Sequence, residues 1–454
     1  MDKVTSYINE NEKRYMDELF DLLRIPSVSG HSNRKQDVLD CAEWIRNHCE
    51  NIGFKTEVIP TDGHPLVYAE WLNKPGKPTL LIYGHYDVMP EDPVELWDSE
   101  PFEPTIKGSK LLCRGAVDDK GQFFAHLKSL EALMKVDGEL PINVKLLIEG
   151  EEEIGSENLE KFLPDNKEKL KCDLIAISDS PMYSKGIPTI TLGLRGLVYF
   201  QLNLTSCSTD LHSGSFGGAV PNAANAACNI VSKLKDEDGV ILVPGIYDSV
   251  KPLSDAEKES FARLPFDEKQ FMDEIGLKAL VGEKGYTHLE RLSTRPTLDV
   301  MGIESGYTGE GAKTVIPSKA MVKISMRLVP DQDPEEIAKL FLDYVKGIIP
   351  EGVDADIEYL HGGRAYVASP EHPAFKAAAE ALEEGFGAKT AFNREGGSIP
   401  IVNVMTDLLE VPCLLSGLGL PDENAHAPNE YLDVDNFYGG IRAFAAFYKK
   451  YAEM

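Results

Sequence analysis

Basic residues are scarce in this chain of 454 residues: 46 Lys and Arg stand against 74 Asp and Glu, a formal net charge of −28. Such a chain repels phosphate backbones, and no basic stripe offsets the excess, which argues against a nucleic-acid partner. Cysteine is sparse too. The seven cysteines are irregularly spaced with no CxxC pair, so they read as reduced thiols of a cytoplasmic protein rather than a disulfide framework or a Cys-rich structural zinc site. Long apolar runs are missing: nothing approaches the ~18 residues of a transmembrane helix, and the opening Met1 to Ser6 lacks the apolar core of a secretory signal. No internal repeat and no low-complexity tract is present. What remains is a chain with 43% hydrophobic residues, long enough for two or three domains with substantial cores.

Against that background, several apolar runs end in acids or histidine. The run Val144 to Ile148 leads into Glu149, Gly150 and a triple carboxylate, Glu151, Glu152 and Glu153. A buried strand delivers the residues at its end to the rim of its sheet, and carboxylates this close raise one another's pKa unless a cation lies between them. Pro78 to Tyr83 ends in Gly84-His85-Tyr86-Asp87. His85 and Asp87, two apart on an extended segment, point to one side, so His85 reads as a metal ligand and Asp87 as the group that fixes its tautomer. Asp118 and Asp119 precede a helical pattern at Phe123 to Met134, where N-capping is the competing reading. Cys172 to Ser178 ends on Asp179, and Asn424 to Glu430, with His426, follows a Gly-rich stretch. Strands that each end in His or a carboxylate, separated by helical patterns, describe an open α/β sheet whose strand ends converge on one crevice. Two His with three or four carboxylates suit a pair of borderline divalent metals.

The segments GHYDV, RGAVDDKG, EGEEEIGS, ISDS, DLHSG, KTVIP, REGGSIP and NAHAPNE, taken in order, resemble the motifs of the di-zinc metallopeptidase family that contains carboxypeptidase G, aminoacylase and the cytosolic non-specific dipeptidases and carnosinases. WDSEPF, GLRG and RLVP bring the likeness nearest to the dipeptidase and carnosinase branch, over most of the chain. The resemblance implies His85, Asp118 and Asp179 as ligands with Asp118 bridging, Glu153 and His426 completing the set, Asp87 orienting and Glu152 as general base. Glu151 departs from the pattern, since relatives have an uncharged residue there. The resemblance also implies two divalent ions per subunit, zinc first and manganese second, and substrate contacts from Arg327, Ser398, Gly397, Glu395, Thr314 and His372. Arg327 suits the bidentate capture of a free carboxylate.

The chemistry follows from amide hydrolysis itself. A coordinated water has a pKa near ~7 rather than ~16, and a carboxylate with a raised pKa can shuttle its proton to the leaving amine. His212 is the candidate donor to the oxyanion. The expected function is hydrolysis of dipeptides or short peptides with a free carboxylate. Carboxypeptidase or N-acyl amino acid deacylase activity, and a non-catalytic metal-bound protein, are the alternatives.

The expected architecture is a catalytic domain with a mostly parallel mixed sheet between helices, in two parts, 1–193 and 387–454. Between them, 194–386 form a two-layer α+β insert: the alternating strands Leu197 to Leu204 and Ala320 to Leu328, the helix 334–348, the strand 354–360 and the helix 373–386. The segment 236–292 has no clear period. The family's insert is a lid and dimerisation domain, so a homodimer is expected, with Leu197 to Leu204 pairing at its edge with its copy and His212 acting in the neighbouring subunit's site.

Overall fold

The computed structural model describes every residue except 1, 254–257, 259–260, 263 and 398, and the side chains of 2, 274 and 400 are likewise not described. Two compact units result: Met1–Leu192 with Ala368–Asn393 and Val404–Met454, and Gly193–Val367 with Arg394–Asn403.

The first unit is built on a mixed sheet. Its order runs Lys55–Ile59, Leu66–Trp71, Asn143–Glu149, Thr79–His85, Leu174–Ile177, Cys413–Leu415, Thr189–Leu194. The four middle strands are mutually parallel, and as buried strands they carry near-continuous Val, Leu and Ile instead of alternation. After Thr79–His85 the chain places its next two parallel strands on opposite sides of it, Asn143–Glu149 on one and Leu174–Ile177 on the other. That is a topological switch point, where open α/β sheets leave a crevice beyond the strand ends.

At the N-terminus the amphipathic pattern forms two helices, Asp2–Glu10 and Glu12–Leu23, whose Val4, Ile8, Tyr15, Leu19, Leu22 and Leu23 are buried. Asn11 separates them because its side-chain amide donates to the Tyr7 carbonyl at 2.8 Å and competes with the helical ladder. The helix Pro373–Phe386, expected in the insert, belongs instead to this unit. Its Ala374, Phe375, Ala377, Ala378, Ala381 and Leu382 join the same core as Ile441, Ala443 and Phe444 of the C-terminal helix Val434–Tyr451. Small residues allow close approach: a Cβ on Gly385 would lie 2.5 Å from that of Ala443.

His126, on the helix Lys120–Asp137, is buried in the same core with its ring stacked on Phe444. Ser178 Oγ commits its proton to the Ser416 carbonyl, so it accepts from His126 Nε2 at 2.7 Å, and the Tyr448 hydroxyl donates to Nδ1 at 2.6 Å. Burial holds this neutral imidazole down to about 3, against an ordinary value of 6.5. Below 6.5 the unfolded chain binds a proton that the folded one refuses, so stability present above that pH falls as pH drops toward 3. His48, likewise pushed down to about 3 by burial, acts with the same sign. His126→Gln should therefore make the loss of stability between pH 7 and pH 5 shallower than in the parent, read as urea midpoints; equal slopes would contradict this role.

In the second unit the antiparallel sheet runs Thr297–Ser305, Lys319–Leu328, Gly196–Thr205, Asp354–Gly363. Val198, Phe200, Leu202 and Leu204 alternate inward and pack with Ala223, Ala227 and Ile230 of one helix and Ile337, Phe341 and Val345 of another. This is the two-layer α+β arrangement. One expectation fails here. The strand Gly196–Thr205 has a partner on both sides, so its backbone has no edge to offer; the edges are Thr297–Ser305 and Asp354–Gly363. Within 236–292, the described residues include the helices Glu268–Glu274 and His288–Ser293.

Candidate metal centre

His85 ends its strand fully buried. Its Nδ1 lies 3.0 Å from the Asp87 carbonyl and 3.4 Å from the Asp87 carboxylate, both acceptors, so the ring proton sits there and Nε2 presents its lone pair. Asp87 has a second task. Its Oδ1 and Oδ2 accept the backbone N–H groups of Glu152 and Glu153 at 3.2 and 3.1 Å. One buried residue thus sets the histidine tautomer, chiefly through its carbonyl, and through its carboxylate holds the turn that carries the Glu run.

Within that turn the three carboxylates separate. Glu151 turns away: it accepts from the His64 and Asn158 backbone N–H groups and from the Asn158 side chain. It therefore pins the loop at Gly63 and the start of the helix Glu157–Asp165. Glu153 reaches His426 Nε2 at 3.0 Å, and Asp118 Oδ2 reaches the same nitrogen at 2.9 Å. On its other oxygen, Asp118 stands 3.1 Å from His85 Nε2, with Asp179 3.7 Å from that nitrogen. Two triads result, His85–Asp118–Asp179 and Asp118–Glu153–His426, each with ligand atoms mutually within 4.8 Å. Asp118 is common to both.

Neither member of the Asp pair caps the helix Lys120–Asp137 with its side chain. Asp119 accepts the His85 N–H at 3.2 Å. The loop bearing His426 is held against its preferences: Asn424, His426 and Asn429 all have φ near +60°, a region non-glycine residues rarely occupy, and such outliers gather at functional sites. Asn429 anchors it by accepting from Asp98 N–H at 2.7 Å and donating to the Leu96 carbonyl at 3.0 Å.

The electrostatics call for a cation. Burial, then neighbouring charge, pushes Asp179 well above the usual carboxylate range, lifts Glu152, and raises Glu153 to about 7. Burial opposes ionisation of Asp118 as well, but the neighbouring His426 and His85 imidazoles pull it below the ordinary range, and Asp118 and Glu153 raise His426 to about 10. Among the described ion pairs, none brings a Lys or Arg to these four carboxylates. His85 Nε2 is buried without a hydrogen-bond partner. An orphaned imidazole nitrogen beside converging carboxylate oxygens fits divalent metal ions, whose charge removes the mutual repulsion.

The remaining predicted residues divide by unit. In the second, His212 is exposed on a two-residue strand paired with Val315–Ile316. Its Nδ1 accepts the Gly214 N–H at 3.0 Å, which leaves the ring proton on Nε2 as an outward donor. Thr314 supports it, accepting the Ser213 N–H on its carbonyl at 3.1 Å. Arg327 is half-buried on Lys319–Leu328, opposite Leu197 and Thr297. Arg195 was not singled out in the sequence: burial first, then the like charge of Arg327, lowers its guanidinium to about 10. Its Nε donates to the Gly396 carbonyl at 3.0 Å, and only the GLRG segment hinted at this residue. The Gly397 carbonyl accepts the Arg195 N–H at 3.0 Å, Glu395 is half-buried nearby in sequence, and Ser398 lies outside the described residues. In the first unit, His372 caps the helix Pro373–Phe386 through Nδ1, with Ala374 N–H at 3.3 Å.

The chain is similar over its length to known proteins. The model of Peptidase family M20/M25/M40 matches residues 81–450. The chain is 32% identical over 470 residues to the Cys-Gly metallodipeptidase dug1 of Schizosaccharomyces pombe, covering 100% of this chain and 99% of that protein. To the Beta-Ala-His dipeptidase of Homo sapiens it is 31% identical over 472 residues, covering 100% and 93%. The crystal structure of the M20 family metallo-carboxypeptidase Sso-CP2 from Sulfolobus solfataricus matches with a TM-score of 0.86 at 34% identity, over 97% of this chain and 99% of that one. With a matching model over most of its length and relatives above 30% identity end to end, the chain belongs to peptidase family M20/M25/M40.

Proposed function

We propose that the protein is a metal-dependent dipeptidase acting on small substrates with a free carboxylate. The observation that carries this reading is the pair of triads joined through Asp118, with Glu152 beside them as a half-buried acid outside both. His85 and Asp179 would hold one divalent ion, Glu153 and His426 the other, and Asp118 both. Bound there, such a pair supplies a nucleophile at neutral pH and a Lewis acid for the scissile carbonyl. Zinc is the first choice for this His and carboxylate set, with manganese second. Glu152 takes the proton of the attacking water and returns it to the leaving nitrogen; its raised pKa suits both halves of that transfer. Asp87 keeps His85 in the tautomer a metal requires.

Substrate recognition is assigned to the second unit. Arg327 would receive the free carboxylate, and the family resemblance assigns Thr314, Glu395 and Gly397 of the same unit to the substrate as well. His212 donates from Nε2 to the oxyanion, from a second copy of the chain in a homodimer formed through the insert. The dipeptidase names of the two relatives support the substrate class. The seven cysteines are free thiols, which supports a cytoplasmic location; no described helix is long and apolar enough to cross a membrane.

The test is a hydrolysis screen of dipeptides, longer peptides and N-acyl amino acids, with zinc, manganese or cobalt returned to stripped protein. Dipeptides should be cleaved fastest. Faster release of a C-terminal residue from longer peptides would favour the carboxypeptidase reading, which the likeness to Sso-CP2 keeps specific. Arg327→Lys keeps the charge but removes the planar fork, so dipeptide hydrolysis should fall by about 10-fold or more with metal content intact. A C-terminally amidated dipeptide cleaved by the parent as well as the free acid would refute carboxylate recognition.

A further inference from the structure

We infer that Glu430 is a positioning residue for the metal centre: its buried carboxylate ties the loop carrying Asp118 to the loop carrying His426. Glu430 is wholly buried. Its Oε1 accepts the backbone N–H groups of Val117 and Asp118 at 2.9 and 3.1 Å, and its Oε2 accepts Gly115 N–H at 2.9 Å and Arg114 Nη1 at 2.8 Å. Each of these four partners is a donor, so the group works as a carboxylate. Arg114 is buried as well, and its Nη2 donates onward to the Pro90 carbonyl at 3.1 Å.

The placement of these bonds goes beyond an internal ion pair. Three of the four end on the backbone of residues 115–118, one of these on the peptide nitrogen of Asp118 itself, the ligand both triads share. Glu430 lies four residues after His426, at the end of the loop whose Asn424, His426 and Asn429 adopt left-handed φ. Asp118 and His426 must meet at 2.9 Å although 308 positions separate them in the sequence, and among the described hydrogen bonds Glu430 links their two loops most directly. A single carboxylate that closes such a gap with bonds to main-chain donors sets position more tightly than flexible side chains can, since an outer partner is what orients a ligand.

The inference rests on the metal reading proposed above, and the experiment separates the two. Glu430→Asp keeps the charge for Arg114 but shortens the reach by ~1.5 Å, so it cannot serve both loops. The double variant Arg114→Met with Glu430→Met removes the buried pair together and leaves no unpaired charge, a replacement that proteins often tolerate. Stripped parent and variants, each checked for a native near-ultraviolet spectrum, are titrated with cobalt(II) and followed by visible absorption. The parent should take up two ions. Both variants should bind at least one ion about 10–100-fold more weakly, with an altered cobalt spectrum. A parent that fails to bind two ions defeats the metal reading. If the parent binds two and a folded variant matches it in affinity and spectrum, Glu430 serves the fold alone and the inference is overturned. Loss of the fold in both variants would overturn it equally, because the role would then belong to the fold as a whole.

Discussion

Glu152→Gln is expected to retain metal binding while losing about 10²–10⁴-fold in turnover, the usual contribution of a positioned proton-transfer group. The substitution keeps the shape of the side chain and removes its ability to accept a proton. Glu152 makes no contact with either imidazole among the described ion pairs, whereas Glu153 lies 3.0 Å from His426 Nε2. Glu153→Gln should therefore strike metal binding itself, beyond the roughly 10–100-fold typical of losing an outer partner. The neighbouring Glu151→Gln serves as the third member of the series. Its carboxylate is occupied by His64 and Asn158, so this change should lower thermal stability and leave metal stoichiometry unchanged. Metal analysis of the three proteins alongside single-turnover rates decides the assignment. An empty Glu152→Gln protein beside a full Glu153→Gln protein would show that the roles of base and ligand are exchanged.

His212→Ala should lower turnover about 10²–10³-fold, the usual loss on removing one oxyanion donor, with metal content intact. The side chain has the chemistry required: Nδ1 is committed to the Gly214 N–H, and Nε2 carries the proton. If the donor comes from a second copy, two inactive proteins should rescue each other. A mixed dimer of His212→Ala and Glu152→Gln subunits holds one site with both groups, so random exchange should restore roughly a quarter of parental activity. Silence after exchange has been verified would refute action between subunits. The sheet topology limits how such a dimer forms: Gly196–Thr205 is paired on both sides, so strand pairing between copies could use only Thr297–Ser305 or Asp354–Gly363. Met301 and Ile303, both about half exposed on the first of these edges, make it the one to test by substitution with Lys.

Much of the first unit was legible because strand ends have a direction. A buried parallel strand reads as a continuous apolar run, and whatever polar residue follows it emerges at one rim. That rule brought His85, the Glu151 to Glu153 run and Asp179 to one rim, while the separate roles of Glu152 and Glu153 were implied only by the family resemblance. The alternating strands of the second unit were legible for the related reason that amphipathic periods survive in sequence. Less was visible where partners are distant. Nothing near Pro373 signals whether its helix packs with the insert or with Val434–Tyr451, because an Ala-rich face suits either.

The sequence by itself determined the chemistry available to this protein: a histidine and carboxylates at strand ends, a second histidine in a later loop, an acidic composition, and an α/β unit carrying an α+β insert. These follow from residue type and local period. The tertiary structure decided which member of the Glu run faces the site, since Glu151 is captured by His64 and Asn158 while Asp87 holds the backbone of the other two. It also decided that Asp118 is shared between triads and that Glu430 grips its loop. Adjacent carboxylates are chemically alike, and only hydrogen-bond donors brought in from remote segments make them different.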